Sequence, residues 1–173
     1  MDVNNVLEHT LVLVGSEAKS GGISIETSLT PEIPMVLADP EQCHQVFLNL
    51  FMNAFQAMNG HGALRVETKL ASNPNGDDAP DAAQDFSPDL TPSTASDTTR
   101  PMVNVIISDT GEGIPPEAIT RIFDPFFSTK DEGIGLGLSL VHKIIENHRG
   151  RIRVSSKQGA GTTFTISLPA AKQ

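Results

Sequence analysis

The segment DTGEGI, residues 109–114, contains a carboxylate that could take part in binding or catalysis, Asp109. Asp109 follows VNVIIS, an apolar run that is typical of a buried strand. A carboxylate at the end of such a strand is costly unless it accepts hydrogen bonds, and Gly111 and Gly113 leave room beside it for a flat ligand. The exocyclic amine of adenine would suit Asp109, whereas the oxygen of guanine would oppose it. The alternative is an ordinary turn in which Asp109 caps its own backbone.

Two asparagines lie four residues apart in QVFLNLFMNAFQAM, residues 45–58. The spacing places Asn49 and Asn53 on one stripe of a predicted helix that is otherwise apolar around almost its whole circumference. Amides in such surroundings need partners, and an asparagine oxygen can bind Mg²⁺, whose shell water and phosphate oxygens complete. Alternatively, both amides form hydrogen bonds to loop backbone.

A glycine-rich segment, DEGIGLGLSL at residues 131–140, precedes the last predicted helix. It lacks the Gly-Lys-Ser/Thr of a Walker loop, and no strand comes directly before Gly135 and Gly137, as a dinucleotide fingerprint requires. A helix that begins near Leu138 would present free backbone N–H groups and the positive end of its dipole to an anion. The alternative is a plain loop and helix cap.

Composition limits the possible classes of function. A chain of 173 residues with 38% apolar content predicts one domain, residues 1–173, with a real core. The formal net charge of −9 argues against binding to nucleic acid or to an anionic membrane. No apolar run reaches the roughly 18 residues of a membrane span and no signal peptide is recognisable. We therefore expect no membrane contact from this segment, and a cytoplasmic location.

The single cysteine, Cys43, excludes an internal disulfide. Because it falls in a predicted helix, we expect a buried small hydrophobe in a reducing compartment.

Residues 71–101 differ sharply from the rest, because proline, serine, threonine and aspartate replace the alternating hydrophobic residues. This composition predicts a disordered, solvated, acidic insertion, with a functional lid as the alternative. Within this segment, no lysine or arginine occurs before Arg100. Two thirds of the formal net charge of the chain resides in the six aspartates of the segment, residues 77, 78, 81, 85, 89 and 97.

Hydrophobic periodicity predicts the elements that must position these residues. Asp39 is expected to cap the helix that begins at Pro40. Direct connections between strands imply a mixed, mostly antiparallel sheet with helices on one face, an α+β two-layer sandwich. The predicted helices cover roughly residues 3–19, 40–59 and 138–150, and the predicted strands cover residues 23–29, 63–70, 102–109, 151–157 and 162–169.

Four motifs in this order resemble those of the ATP-binding domain shared by bacterial sensor histidine kinases, DNA gyrase, Hsp90 and MutL. The histidine kinases are the more similar: residues 45–58 resemble their N box, DTGEGI their G1 box, FDPFFSTK their F box and GIGLGLSLVHKIIENHRG their G2 box. VLADPEQCHQV and GAGTTFTISLP are also similar, so the resemblance covers roughly residues 1–70 and 102–169. It implies the Bergerat fold, with ATP and Mg²⁺ as cofactors.

The resemblance also implies roles for individual residues. Asn53 would bind Mg²⁺ and take part in catalysis, Asn49 would support the phosphates, and Asp109 would bind the adenine amine. Residues 123–137 would form an ATP lid. Lys130 is the only cation between Arg121 and Lys143 and is the candidate catalytic phosphate contact, with a solvated surface lysine as the alternative. The other implied nucleotide contacts are Gly111, Gly113, Ile114, Phe123, Gly133, Gly135, Leu136, Gly137, Leu138 and Thr162.

Asn49 bears on the type of reaction. In ATPases of the gyrase and Hsp90 type, a glutamate at this place activates water, and an amide cannot act as that base. Transfer of the γ-phosphoryl group of ATP to a protein nucleophile is therefore favoured over hydrolysis. None of the five histidines has the sequence context of a phosphate acceptor.

The resemblance then implies the catalytic half of a protein-histidine kinase in two-component signalling. Its partner would be a separate histidine-containing dimerisation domain, with a response regulator downstream. The alternatives are a serine kinase of the anti-sigma-factor type and a nucleotide-sensing module without transfer activity.

Overall fold

The computed structural model describes residues 1–71, 101–128 and 135–171. The predicted acidic insertion, apart from its two end residues, lies outside the described residues, as do Lys130 and Gly133. The elements in chain order are α1 Val3–Ser20, β1 Ile23–Leu29, α2 Pro40–Met58, β2 Gly62–Leu70, β3 Met102–Asp109, α3 Pro116–Ile119, α4 Gly137–Asn147, β4 Arg151–Lys157 and β5 Gly161–Pro169.

The first two helices begin where the sequence supplies a capping carboxylate. Asp2 accepts hydrogen bonds from the backbone N–H groups of Asn4 and Asn5 at the start of α1. Asp39 accepts one from Gln42 at 2.9 Å, and Pro40 occupies the first position of α2, which confirms the predicted helix start. Such caps satisfy backbone donors that have no acceptor within the helix.

The five strands form one mixed sheet in the order β1-β2-β3-β5-β4. β1 runs parallel to β2, and the other neighbouring pairs are antiparallel. The predicted α+β two-layer sandwich is thus confirmed, with element boundaries within three residues of expectation. The short helix α3 was not predicted, because four residues are too few to show a helical period.

Helix α2 is packed tightly between the sheet and the other helices. Val103, Val105 and Ile107, alternate residues of β3, face the same core. Burial of one large apolar side chain contributes roughly 1.5–3 kcal/mol. The many buried residues of α2 therefore favour a single orientation of this helix about its own axis. They are Cys43, Val46, Phe47, Leu50, Phe51, Ala54, Phe55 and Met58.

Among the described residues, no helix is long and apolar enough to cross a membrane. Cys43 is buried in the core, as predicted.

Burial raises the pKa of the Cys43 thiol to about 12, and the nearby carboxylate of Asp39 adds to the rise. We therefore predict that iodoacetamide alkylates the native chain at about pH 8 roughly a hundredfold more slowly than the urea-unfolded chain, since the thiolate is the reactive form. Mass spectrometry would measure both rates, with Cys43→Ala as the unreactive control. Comparable rates in the two states would contradict the buried position.

Candidate functional site

A cavity of about 510 Å³ lies between α2, the loop after β3 and the start of α4. Its volume is within the usual range of small-molecule sites. It brings together residues that are far apart in the sequence. Those among the predicted site residues that line it are Asn53, Asp109, Gly113, Ile114, Gly135, Leu136, Gly137, Leu138 and Thr162.

The carboxylate of Asp109 is held in the cavity wall by backbone groups. Its Oδ1 accepts hydrogen bonds from the N–H of Gly111 at 2.8 Å and from the N–H of Thr162 on β5 at 3.3 Å. The first bond is the local cap that the turn interpretation predicts. The second ties the side chain to a neighbouring strand, so the carboxylate both closes a turn and presents a fixed acceptor to the cavity.

Gly111 has a different place from the one the sequence suggested. It packs against α2, where a Cβ would lie 2.7 Å from the carbonyl oxygen of Ala57. The N–H of Glu112 donates to that same oxygen at 3.0 Å. Gly111 thus brings the DTGEGI loop against α2, while Gly113 lines the cavity itself.

Asn49 and Asn53 share one stripe of α2, but of the two only Asn53 lines the cavity. Asn53 lies in its wall, and within the described part of the chain its side chain makes no hydrogen bond. Asn49 donates to the carbonyl of Gln45 at 2.9 Å, and its Oδ1 would lie 3.2 Å from a Cβ on Gly137. Asn49 therefore fills the space between α2 and the first residue of α4.

The donor set fits a cation that arrives with phosphate oxygens. Across residues 1–71, 101–128 and 135–171, no group of three or more His, Cys, Asp or Glu side chains could hold a metal ion. Asn53 contributes a neutral amide oxygen, and Mg²⁺ commonly binds through one or two protein ligands plus phosphates and water.

Helix α4 begins at the cavity without a side-chain cap. Leu136 is its N-cap residue and makes no side-chain capping bond, while Gly137 and Leu138 line the cavity. The N–H groups of the first turn have no acceptor within the helix, and the helix dipole adds a partial positive charge. This end of α4 can therefore bind an anion.

Two phenylalanines of the predicted lid have opposite environments. Phe123 does not line the cavity, because its ring is buried 5.5 Å from the ring of His142 on α4. Phe127 lines the cavity, and the guanidinium carbon of Arg121 lies 4.6 Å from its ring centroid. Gly135 accepts a hydrogen bond from Phe126 at 2.9 Å, which joins the two described ends of this segment.

Several lining residues were missed from the sequence. Gln56 and Ala57 lie three and four residues after Asn53, a helical spacing that could have identified them. Phe164 lies two residues after Thr162, on the same side of β5. Phe127 and Ser128 lie within the predicted lid, residues 123–137, but were not singled out as contacts. The remaining residues gave no such signal: Ala54, Glu112 and Ile122.

An α+β sandwich with this cavity defines a nucleotide-binding domain, in which a fixed carboxylate, an amide and a helix N-terminus face one space. Residues 38–172 match the family model described as histidine kinase-, DNA gyrase B-, and HSP90-like ATPase. The chain belongs to this family.

Individual relatives indicate which type of domain within this family the chain resembles. The chain is 36% identical to the sensor histidine kinase ZraS of Escherichia coli (strain K12) over 169 residues, which are 98% of this chain and 30% of ZraS. The catalytic domain of histidine kinase ThkA has the same fold, with a TM-score of 0.73 and 26% identity over 98% of this chain and 93% of ThkA's domain. This domain is therefore of the sensor histidine kinase type.

A structure of ThkA in complex with the response regulator protein TrrA shows the same fold. Its TM-score is 0.70 at 24% identity, over 99% of this chain and 41% of that one.

Replacement of Asp109 by Asn should weaken the binding of Mg-ATP about a hundredfold, because a mixed donor and acceptor amide replaces the fixed acceptor. Isothermal titration calorimetry would measure the affinity. Asp2→Asn is the matched control, since asparagine also caps helices and Asp2 lies at the start of α1. Unchanged affinity for Asp109→Asn would remove this carboxylate from the binding site.

Gly135→Ala should destabilise the domain by about 3 kcal/mol, since φ is +72° and a Cβ would lie 2.6 Å from the carbonyl oxygen of Phe127. Gly159→Ala is the control, because its φ is +80° but nothing lies within 4 Å. It should cost about 1 kcal/mol, from backbone strain alone. Urea denaturation measures both free energies of unfolding, and equal losses would contradict the close approach.

Proposed function

We propose that this domain binds Mg-ATP and transfers the γ-phosphoryl group to a histidine of a separate dimerisation domain. The observation that carries the proposal is the cavity, in which the fixed carboxylate of Asp109, the amide of Asn53 and the N-terminus of α4 face one space. Each of the three suits a different part of the nucleotide.

Asp109 would recognise the adenine base. Its Oδ1 is held by two backbone N–H groups, so the carboxylate would be oriented to accept a hydrogen bond from an exocyclic amine. Gly113 and Ile114 would border the flat face of the base. Guanine would set an oxygen against this acceptor and bind less well.

Asn53 and the first turn of α4 would bind the phosphate end. Asn53 would hold Mg²⁺, which supplies charge neutralisation on the phosphate oxygens when it is bound. The backbone N–H groups near Gly137 and Leu138 would donate hydrogen bonds to the same phosphate oxygens. Lys130 is proposed as a further catalytic contact on the basis of its charge in the sequence.

The reaction would be phosphoryl transfer and not hydrolysis. Asn49 occupies the position of the water-activating base and carries an amide, which cannot accept a proton from water. In the transfer, a ring nitrogen of the acceptor histidine forms a bond to the γ-phosphorus while the bond to the bridging oxygen breaks, and ADP leaves with that electron pair. The work of the domain is then positioning and charge stabilisation.

The relatives favour histidine as the acceptor, because ZraS and ThkA are both named histidine kinases. A response regulator would then take the phosphoryl group from the histidine, and the complex of histidine kinase ThkA with the response regulator protein TrrA supports such a partner. Because ATP is the phosphoryl donor, we propose that this reaction takes place in the cytoplasm.

Incubation of the chain with radiolabelled ATP, Mg²⁺ and purified histidine-containing dimerisation domains tests the proposal. We expect label on the acceptor that is lost in acid, and at least a hundredfold slower labelling with Asn53→Asp, because a carboxylate there changes charge and metal binding. Asn5→Asp is the matched control, since Asn5 is exposed on α1. Acid-stable label would indicate a serine kinase, and nucleotide binding without transfer to any acceptor would indicate a sensing module.

A further inference from the structure

Ser156 lies one residue before the end of β4, and its hydroxyl group contacts three other groups. The backbone N–H of Ile114 donates a hydrogen bond to Ser156 Oγ at 2.8 Å. The carbonyl oxygen of Gly161 lies 3.0 Å from Ser156 Oγ, and Thr162 Oγ1 lies 2.9 Å from it. Because Ile114 and Thr162 both line the cavity, Ser156 joins two parts of the cavity wall.

One placement of the two hydroxyl hydrogens satisfies all three contacts of Ser156. A carbonyl oxygen can only accept, so Ser156 gives its single hydrogen to Gly161. Thr162 then donates its hydroxyl hydrogen to Ser156. In the reverse placement Ser156 donates to Thr162, and the contact between Ser156 and Gly161 contains no hydrogen. The first placement is favoured, because polar groups in a protein interior are almost always hydrogen-bonded.

This placement determines what Thr162 can offer to a ligand. The hydroxyl hydrogen of Thr162 is used on Ser156, so its Oγ1 can act toward the cavity only as an acceptor. Thr162 is 5% exposed, which leaves little room for water to alter this arrangement. The N–H of Thr162 donates to Asp109 Oδ1 at 3.3 Å, so the two residues are neighbours. Two acceptors therefore lie side by side in one corner of the cavity.

A pair of neighbouring acceptors discriminates between the substituents of a purine ring. An exocyclic amine has two N–H groups and can donate to both acceptors. A ring oxygen at the same place has no hydrogen to donate and would oppose both acceptors. A polar site that a ligand leaves unsatisfied rejects that ligand strongly. Ser156 contributes to this rejection, because it takes the hydrogen with which Thr162 could otherwise bind an oxygen.

Contacts other than that of Ser156 also hold the loop after β3 against the β4–β5 turn. The N–H of Gly159 donates to the carbonyl oxygen of Glu112 at 2.6 Å. Gly113 packs so closely on the turn that a Cβ there would overlap the carbonyl group of Lys157. Removal of the Ser156 hydroxyl should therefore leave the loop in place, so its effect on the ligand can be measured separately.

We propose that Ser156 is a positioning residue for the choice of base and that it acts through Thr162. Ser156 accepts the hydroxyl hydrogen of Thr162 and so keeps Thr162 Oγ1 as an acceptor beside Asp109. The site then selects a purine nucleotide with an amine and rejects one with an oxygen at the same ring carbon. The competing view is that Ser156 only joins two strands and a loop. This inference rests on the proposed function, because it assumes that the cavity binds ATP.

Binding of Mg-ATP and of Mg-inosine triphosphate, measured by calorimetry, tests the role of Ser156. Inosine triphosphate carries an oxygen in place of the adenine amine. In Ser156→Ala the Thr162 hydroxyl can turn and donate to this oxygen, so the preference for ATP should fall about fivefold, the effect of one neutral hydrogen bond. Ser156→Thr retains a hydroxyl and should keep most of the preference. Ser155→Ala, on the opposite face of β4, is the matched control and should leave the preference unchanged.

Thr162→Val decides the question even where Ser156→Ala is unstable, because it keeps the shape of Thr162 and the bonds of Ser156 to Ile114 and Gly161. The preference for ATP should again fall, and Ser156→Ala should lower it no further in this background, since Ser156 acts through the lost hydroxyl. A preference that rises in Thr162→Val would show that Thr162 donates to the ligand and would overturn the inference.

The parent chain separates this inference from the proposed function. Failure of the parent chain to bind ATP would overturn both. In a chain that binds ATP, an equal loss of affinity for the two nucleotides in Ser156→Ala would overturn the role of Ser156 alone. Thermal unfolding of each variant would establish that it is folded at the temperature of the titration.

Discussion

Helix α2 can bury its apolar side chains in only one orientation about its own axis. The position of the candidate site depends on this constraint. Phe47, Phe51 and Met58 face the core, so the stripe of Asn49 and Asn53 is turned away from it toward α4 and the loop after β3. The burial stabilises the fold and orients the amide in the same step. A rotation of α2 by one residue would bury Asn53 among apolar side chains and expose a phenylalanine, at a cost of several kcal/mol.

The same division holds for the other elements around the cavity. α4 is fixed by Val141, Ile144 and Ile145, while its first turn is left for a ligand. β3 is fixed by its core-facing alternate residues, while Asp109 lies at its end. Each of these elements therefore contributes some residues to the core and others to the candidate site. Packing of the core residues holds the site residues in place, as a preorganised binding site requires.

The electrostatics of the cavity explain why the nucleotide should bring a cation with it. Among the described residues that line the cavity there is no lysine or arginine, whereas Asp109 and Glu112 are both acidic. An anionic ligand is then attracted by backbone N–H groups and the dipole of α4, which are weaker than full charges. Basic side chains occur instead on β2 and β4, as Lys69, Arg151 and Arg153.

The sequence by itself determined the features that depend on neighbours along the chain. The cap at Asp39, the stripe of Asn49 and Asn53, the alternation of the strands and the order of the motifs all follow from spacings of a few residues. The tertiary structure decided that Gly111 packs against Ala57, and that Phe127 lines the cavity while Phe123 lies in the core. These features depend on how elements distant in sequence approach one another, and periodicity along one element carries no information about the distance to another.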